Sequence, residues 1–142
     1  MDYAKLAEQL IKNSAMYRKG GQQIKIDESM RGENFVLTYI AQKGGGVLPG
    51  EISNEMAIST ARIAAALNSL ESKGLITREI DKNDRRRILV DLTPEGKDLA
   101  EKRKQMVISS AEDMLRWLGE EDAESFVRIL GRLSEYSMIS KI

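Results

Sequence analysis

Cysteine and histidine are both missing from the 142-residue chain. Without cysteine there is no disulfide, thiol nucleophile or thiol redox sensor, and without histidine there is no imidazole base and no usual zinc site. Long apolar runs of the kind that span a membrane are missing too. The opening stretch MDYAKLAEQLIKN carries Asp2 and Glu8 within a helical pattern, unlike a secretory signal peptide. We therefore expect a cytoplasmic protein with no membrane segment and no cofactor.

An excess of charge of one sign is also absent. Lys plus Arg and Asp plus Glu both number 22, so the formal net charge is zero, and the pI is near 6.4. This balance gives no general argument for binding nucleic acid. Specific DNA binders depend on locally clustered charge, however, and the acidic run from Glu120 to Glu124 can offset a basic cluster elsewhere.

Motifs typical of enzymes are lacking as well. Carboxylates and lysines are plentiful, yet none falls in a recognisable nucleophile, metal or phosphate motif. The run Gly44-Gly45-Gly46 is not followed by Lys-Ser or Lys-Thr at P-loop spacing, so it predicts a turn and not a phosphate cradle. The sequence therefore predicts a protein that is not an enzyme.

What is present is a characteristic order of elements from Val47 to Gly96. The stretch predicts a short helix, a turn, a second helix and a two-stranded hairpin. Pro49 suits the first position of the first helix, and Ser59 can cap the second. Gly74 closes the second helix, because glycine adopts a left-handed cap at little cost. This order describes a winged helix-turn-helix.

The second helix, predicted over Ser59 to Lys73, separates its faces well. The apolar residues predicted to be buried are Ile63, Ala66, Leu67 and Leu70. The opposite face is small and uncharged, and it is narrow enough to enter a DNA major groove. It comprises Ala61, Ala65, Asn68 and Ser72, with Thr60, Arg62 and Ala64 at its flanks. An ordinary amphipathic helix would show the same periodicity. The hairpin that follows is therefore what distinguishes a DNA-binding helix from an ordinary one.

That hairpin has a basic tip. Leu75 to Ile80 and Ile88 to Leu92 predict its strands, the second with alternating burial. The tip places Lys82, Arg85, Arg86 and Arg87 beside Asp84. Such a loop could reach phosphates or enter the minor groove, where negative potential favours arginine. A charged loop by itself is usually solvated surface, but at the position of a wing it favours DNA contact.

Helices are predicted on both sides of this unit. The first covers residues 3 to 17 and ends before Gly20-Gly21; after a polar connector, the second begins between Ser29 and Glu33. Thr93 caps a helix that begins at Pro94 and runs to Leu118, and Gly119 separates it from a last helix. The apolar residues predicted to face inward are Val36, Leu37, Ile40 and Ala41 in the second helix and Ala123, Phe126, Val127, Leu130 and Leu133 in the last, with methionines such as Met106 as core fillers. The first and the last two helices carry more apolar surface than one small winged domain can cover, so a partner chain is the natural way to bury it.

The run LNSLESKGLITREIDKNDRRRILVDLTPEG resembles the multiple antibiotic resistance regulator (MarR) family. It contains the family's L-x-x-L-x-x-K-G-L-[IV] helix end, D-x-x-D-R-R wing and L-T-x-x-G start of the next helix. The resemblance is strongest from Val47 to Asp98 and extends more loosely from about Glu33 to Ser137. It implies a mainly α fold with a small β-hairpin wing, in which a winged helix-turn-helix joins a terminal-helix dimerisation region. The expected division is 1–28 for an N-terminal dimerisation helix and connector, 29–98 for the DNA-binding domain and 99–142 for the C-terminal dimerisation helices.

The resemblance also assigns residues by position. Asp84 and Arg85 correspond to the family's wing pair and Arg86 to a wing contact, and we expect Asp84 to have a structural role in the wing. The expected DNA-binding residues are Ser59, Thr60, Ala61, Arg62, Ala64, Ala65, Asn68, Lys82, Arg85 and Arg86. Family members often carry polar or basic side chains where this chain has Ala64 and Ala65. Base reading is therefore expected to be sparse and to depend on Thr60, Arg62 and the wing.

The function that the resemblance implies is a homodimeric transcriptional regulator, expected to be a repressor, that binds palindromic double-stranded DNA. A small aromatic or anionic effector is expected to relieve that binding. The family's cysteine-oxidation and histidine-zinc sensing variants are excluded by composition. An alternative is a winged-helix module that binds another protein or RNA, because one fold hosts many functions and the net charge is zero. Retention on duplex DNA that weakens steeply with salt would distinguish the regulator from that module.

Overall fold

The architecture comes from a computed structural model that describes residues 1–20 and 28–140, with the side chains of residues 1–19 and 32–140. The elements are α1 (Tyr3–Gly20), α2 (Glu28–Lys43), α3 (Pro49–Met56), α4 (Thr60–Ser72), β1 (Ile76–Ile80), β2 (Ile88–Leu92), α5 (Pro94–Leu118) and α6 (Glu120–Ile139). This confirms a mainly α fold with a small hairpin wing. The predicted polar connector between α1 and α2 lies outside the described residues. No helix within the described ranges has the length and apolar character needed to cross a membrane.

The ends of the helices follow from local chemistry. Ser59 accepts a hydrogen bond from the backbone N–H of Arg62 at 3.3 Å and so caps α4. Thr93 Oγ1 accepts one from the N–H of Gly96 at 3.0 Å and caps α5. The Thr93 hydroxyl also donates to the carbonyl of Gly74 at 2.7 Å, so the start of α5 is joined to the end of α4. Gly74 has a φ of 72°, as the predicted left-handed cap requires.

The hairpin is antiparallel, with a register from Ile76↔Leu92 to Ile80↔Ile88. Val47 adds an isolated bridge to Val90, through backbone hydrogen bonds of 3.1 and 2.8 Å. The chain between α2 and α3 is therefore attached to the wing. The predicted alternation in β2 is only partly present, because Val90 is buried but Ile88 is 46 % exposed at the end of the hairpin.

The turn before this bridge has a second attachment to the wing. Asp91 Oδ1 accepts a hydrogen bond from the N–H of Gly46 at 2.6 Å. Gly44, Gly45 and Gly46 all have positive φ, between 64° and 94°, a backbone conformation that favours glycine. The predicted turn is therefore confirmed.

The core lies where α2, α3, α4 and the hairpin meet. Its buried members are Val36, Leu37, Ile40, Val47, Ile52, Ile63, Leu67, Leu70, Ile76 and Val90. Full burial of each such side chain contributes roughly 1.5–3 kcal/mol, so this cluster holds the inner face of α4 firmly. Leu99 packs against the cluster and Ala100 is buried. The packed unit therefore continues past residue 98, the boundary expected from the sequence.

Several residues predicted to face inward are exposed in the single chain. Ala41 is exposed because the buried stripe of α2 is narrower than its sequence pattern. In α6 the exposed fractions are 44 % for Phe126, 57 % for Val127, 54 % for Leu130 and 56 % for Leu133, and in α5 Met106 is 64 % exposed. Within a single chain, the prediction that these residues face inward or fill the core is wrong. The reason is that α6 packs against α5 and not against the core cluster.

Candidate nucleic-acid interface

The outer face of α4 collects most of the residues expected to contact DNA. Ile63, Leu67 and Leu70 are buried and fix the helix from its inner side. The exposed positions on or beside the outer face are Ser59, Thr60, Ala61, Arg62, Ala64, Ala65 and Asn68. Because three of these side chains are alanine, little bulk separates the helix backbone from a surface that approaches it. This shape suits insertion into a groove.

The wing tip is a turn ordered by its own backbone and carboxylates. The N–H of Asp81 donates to the carbonyl of Arg87 at 2.9 Å, and the N–H of Arg87 donates to the carbonyl of Asp84 at 3.0 Å. Asp81 also forms an ion pair with Arg87, with 3.8 Å between Oδ2 and Nε. Lys82 and Arg85 are exposed and form no ion pair with any residue that the structure describes. These two cations are therefore available to a phosphate.

Asp84 is bonded to Arg86 and not to Arg85. Its Oδ1 accepts hydrogen bonds from the backbone N–H of Arg86 at 3.1 Å and from Arg86 Nε at 3.2 Å. These bonds lower the pKa of the Asp84 carboxyl, the side-chain bond being the larger cause and the backbone bond the second. The Arg86 side chain is 90 % exposed although its guanidinium is held. Asp84 thus orients an arginine that still reaches solvent.

Arg78 connects the wing to α4, and sequence reasoning missed it. Its Nε and Nη2 donate to the two carboxylate oxygens of Glu71 at 3.2 and 2.9 Å. Nη2 also donates to Oδ1 of Asn68 at 2.8 Å. The hydrogen bond from Arg78 lowers the pKa of Glu71, and the same bond raises the pKa of Arg78. In the sequence, the one sign of this role is that an arginine stands on a side of the strand whose other residues are apolar or neutral.

Glu33 and Lys73 fix the other end of α4. Lys73 is the C-terminal cap of this helix, and its Nζ donates to Oε2 of Glu33 at 2.8 Å. Burial of Glu33 acts to raise the pKa of its carboxyl, but hydrogen bonds from Lys73 and Ser69 and the nearby charge of Arg103 outweigh burial and lower the pKa. The carboxylate stays ionised and anchors the helix. None of these residues was expected from the sequence as part of the interface.

The order of a short helix, a second helix with a small exposed face and an arginine-tipped hairpin is that of a winged helix-turn-helix. The sequence profile of the MarR family matches residues 35–87, from the core face of α2 to the end of the wing tip. Curated relatives of the chain are named as HTH-type transcriptional regulators. The chain is therefore a transcriptional regulator of the MarR type, and regulators of this type are not enzymes.

Individual proteins resemble the chain along most of its length. The HTH-type transcriptional regulator YwhA of Bacillus subtilis (strain 168) is 28 % identical over 142 residues, which cover 95 % of this chain and 100 % of that protein. The crystal structure of YusO from Bacillus subtilis has a TM-score of 0.73 at 24 % identity and covers 95 % of this chain and 98 % of its own. Streptococcus pneumoniae FabT in complex with DNA has a TM-score of 0.69 at 24 % identity and covers 96 % of this chain and 98 % of its own. The two structures share the fold of this chain.

Proposed function

We propose that the protein is a homodimeric, sequence-specific DNA-binding repressor of transcription. The observation that carries this proposal is the exposed, uncharged face of α4 joined through Arg78 to a wing with Lys82, Arg85 and Arg86 at its tip. Such a pair of surfaces fits a major groove and the adjacent backbone or minor groove. A repressor of this kind acts by occupying a promoter. It must therefore be in the compartment that holds the chromosome, and we propose that this compartment is the cytoplasm.

Each part of this surface has a proposed task. We call α4 the recognition helix; its first turn, with Ser59, Thr60 and Arg62, lies nearest the bases. Ala61, Ala64 and Ala65 allow the helix to approach the groove closely, and Asn68 lies two turns beyond Ala61 on the same side. In the wing, Lys82, Arg85 and Arg86 neutralise phosphates or enter the minor groove, and Asp84 has the structural role of holding Arg86. Zero net charge does not oppose this, because only local charge meets the DNA.

A second copy of the chain is the proposed partner for the terminal helices. Large apolar side chains on α1, α5 and α6 are exposed: Leu10, Ile11, Tyr17, Met106, Val107, Trp117, Val127, Leu130, Leu133 and Met138 are each more than half exposed. Exposed apolar surface of this extent marks an interaction site in soluble proteins. We therefore assign residues 1–28 and 99–142 to the dimer and 29–98 to DNA binding, with α5 passing from one region into the other. Two-fold symmetry then places two recognition helices about 34–36 Å apart, so the operator is a palindrome.

Relief of repression is proposed to come from a small aromatic or anionic effector. It would bind between the dimer helices and the DNA-binding unit and favour a spacing of the two recognition helices that does not match the operator. For this chain the proposal of an effector rests on the family resemblance.

The test is selection of duplexes from a random pool by the full chain, followed by titration of the selected duplex at several salt concentrations. We expect an imperfect palindrome, two protomers per duplex and an affinity that falls steeply with salt. A shuffled duplex of the same length and an RNA duplex of the same sequence are the matched controls. Equal binding to all three at every salt concentration would contradict the proposal and favour the protein- or RNA-binding module.

A further inference from the structure

The guanidinium of Arg78 makes contact with two different residues of the recognition helix. Its bonds to Glu71, at 2.9 and 3.2 Å, join the wing to the helix. Its third bond, 2.8 Å from Nη2 to Oδ1 of Asn68, has a different consequence: it can orient the side-chain amide. The oxygen of that amide accepts hydrogen bonds, whereas its NH₂ group donates them. Arg78 itself is only half-buried, and its side chain is 28 % exposed.

The identity of the amide atom that faces Arg78 is fixed by chemistry. A guanidinium carries only donors, so its partner on the amide must be the oxygen and not the NH₂ group. Assignment of amide oxygen and nitrogen is often ambiguous, but here the neighbour removes the ambiguity. Nδ2 of Asn68 therefore points away from Arg78, and no residue in the described part of the chain accepts a hydrogen bond from it. Asn68 is exposed on the outer face of α4, so these two N–H groups face outward.

We propose that Arg78 orients Asn68 so that the NH₂ group of its amide faces the DNA and donates to it. This rests on the proposed DNA binding and specifies the chemistry of one position within it. Nδ2 can donate to N7 or O6 of guanine, N7 of adenine, O4 of thymine or a phosphate oxygen, all of which are acceptors. Arg78 occupies one of the two lone pairs of Oδ1, so two-bond recognition of adenine would need the second lone pair to accept from the adenine amino group. Arg78 is thus a positioning residue that acts through Asn68.

The orientation is held more strongly than one hydrogen bond would hold it. Turning the amide over would place its NH₂ group against the donors of Arg78 and leave both without an acceptor. Arg78 cannot easily move aside, because its charge-assisted bonds to both oxygens of Glu71 fix the guanidinium. Glu71 therefore determines which face of the Asn68 amide meets the DNA, although Glu71 itself is directed at Arg78.

A charge swap separates the orientation of Asn68 from the connection between wing and helix. In the double variant Glu71→Arg with Arg78→Glu, the ion pair is retained but position 78 becomes an acceptor. The NH₂ group of Asn68 then turns toward position 78, and the amide oxygen faces the DNA. If Arg78 served only to join wing and helix, the swap would leave the contribution of Asn68 unchanged.

The experiment is a mutant cycle. It measures how much Asn68→Ala weakens DNA binding in the parent and in the swapped protein, on a duplex selected by the parent. We expect Asn68→Ala to weaken binding about tenfold in the parent and less than about twofold in the swapped protein. Loss confined to one base position per half-site would identify a base acceptor, and uniform loss on selected and random duplexes would identify a phosphate. Thr60→Ala is the matched control and should cost the same in both backgrounds. Thermal unfolding of each variant shows whether the swap has kept the fold.

An equal cost of Asn68→Ala in both backgrounds, or no cost in the parent, would overturn the proposal. Should the swapped protein fail to fold, Arg78→Met takes its place, because it removes the donors and releases the amide; the cost of Asn68→Ala should again fall. A parent that binds no duplex at all would refute the proposed function instead, since the cycle requires measurable parent binding. The two failures are therefore distinguishable.

Discussion

Nζ of Lys73 lies 2.8 Å from Oε2 of Glu33, and this contact attaches the end of the recognition helix to α2. Glu33 is 8 % exposed, so its charge is largely removed from water. Lys73 remains about half exposed and can be hydrated on its other side. The pair is positioned to fix the orientation of α4 relative to α2, and this role leads to the first prediction.

Glu33→Gln should lower the free energy of unfolding by about 1–2 kcal/mol at pH 7, because the ion pair with Lys73 becomes a hydrogen bond from a charged amine to a neutral amide oxygen. The pKa of Glu33 is lowered in the folded state, so its stabilisation is present above the ordinary pKa of a glutamate, about 4.3, and is lost as the pH falls through the folded pKa. Denaturant unfolding of the parent and the variant between pH 7 and pH 3 measures the difference, which should shrink toward the acid end. Glu55→Gln, at an exposed position of α3, is the control. Equal stability of parent and Glu33→Gln at pH 7 would refute the role of the pair.

Leu130→Glu should dissociate the proposed dimer. Leu130 is 54 % exposed in the single chain, so the substitution buries no charge in one protomer but places a carboxylate in the interface between two. Sedimentation should show about twice the chain mass of 15.9 kDa for the parent and a shift toward that mass for the variant. Arg128→Glu, on the polar side of α6, should remain dimeric. A monomeric parent would remove the dimer from the mechanism.

Arg62→Ala should relax discrimination between operator variants at one base position per half-site. Arg62 is exposed in the first turn of α4, and a side chain that contacts a base edge contributes about 1–3 kcal/mol of discrimination. Competition of the parent and the variant against a set of single-base operator variants measures this. Uniform weakening on every duplex would instead make Arg62 a phosphate contact.

Asp84→Ala should weaken DNA binding although it removes a negative charge. Asp84 holds the guanidinium of Arg86 through two hydrogen bonds and also accepts one from the backbone N–H of Arg86. Without these bonds the arginine is no longer directed. Arg86→Ala should make the slope of log affinity against log salt shallower by about one unit for each wing that loses a phosphate contact. Salt titrations on one operator and one random duplex measure both effects. Tighter binding by Asp84→Ala together with an unchanged slope for Arg86→Ala would exclude the wing from DNA recognition.

Gly96→Ala should destabilise the fold by about 2–4 kcal/mol. Gly96 is buried in the first turn of α5, and an added Cβ would collide with the backbone carbonyl of Leu75, which cannot move without disturbing β1. Gly50→Ala is the matched control, because a Cβ there meets nothing within 4 Å and alanine favours the helix. Denaturant unfolding should therefore give opposite signs for the two substitutions. Similar small changes for both would show that the contact between α5 and Leu75 is not tight.

The sequence by itself determined the order of the elements and most of their ends. Ser59, Thr93 and Gly74 act on backbone groups only a few residues away, so their effects are local and can be read from spacing alone. The winged helix-turn-helix and the exposed face of its second helix followed from the same short-range patterns. Apolar periodicity also identified the buried face of α4.

Tertiary structure decided which side chains act together. Glu33 and Lys73 are 40 residues apart and Gly46 and Asp91 are 45 apart, so their contacts exist only once α2, α4 and the wing have packed. The bond from Arg78 that orients Asn68 likewise depends on how the hairpin lies against α4. Apolar periodicity showed that Leu130 and Leu133 lie on one face of a helix, but periodicity is the same whether that face meets the chain's own core or another surface. The packing of α6 against α5 alone decided that this face stays exposed in the single chain.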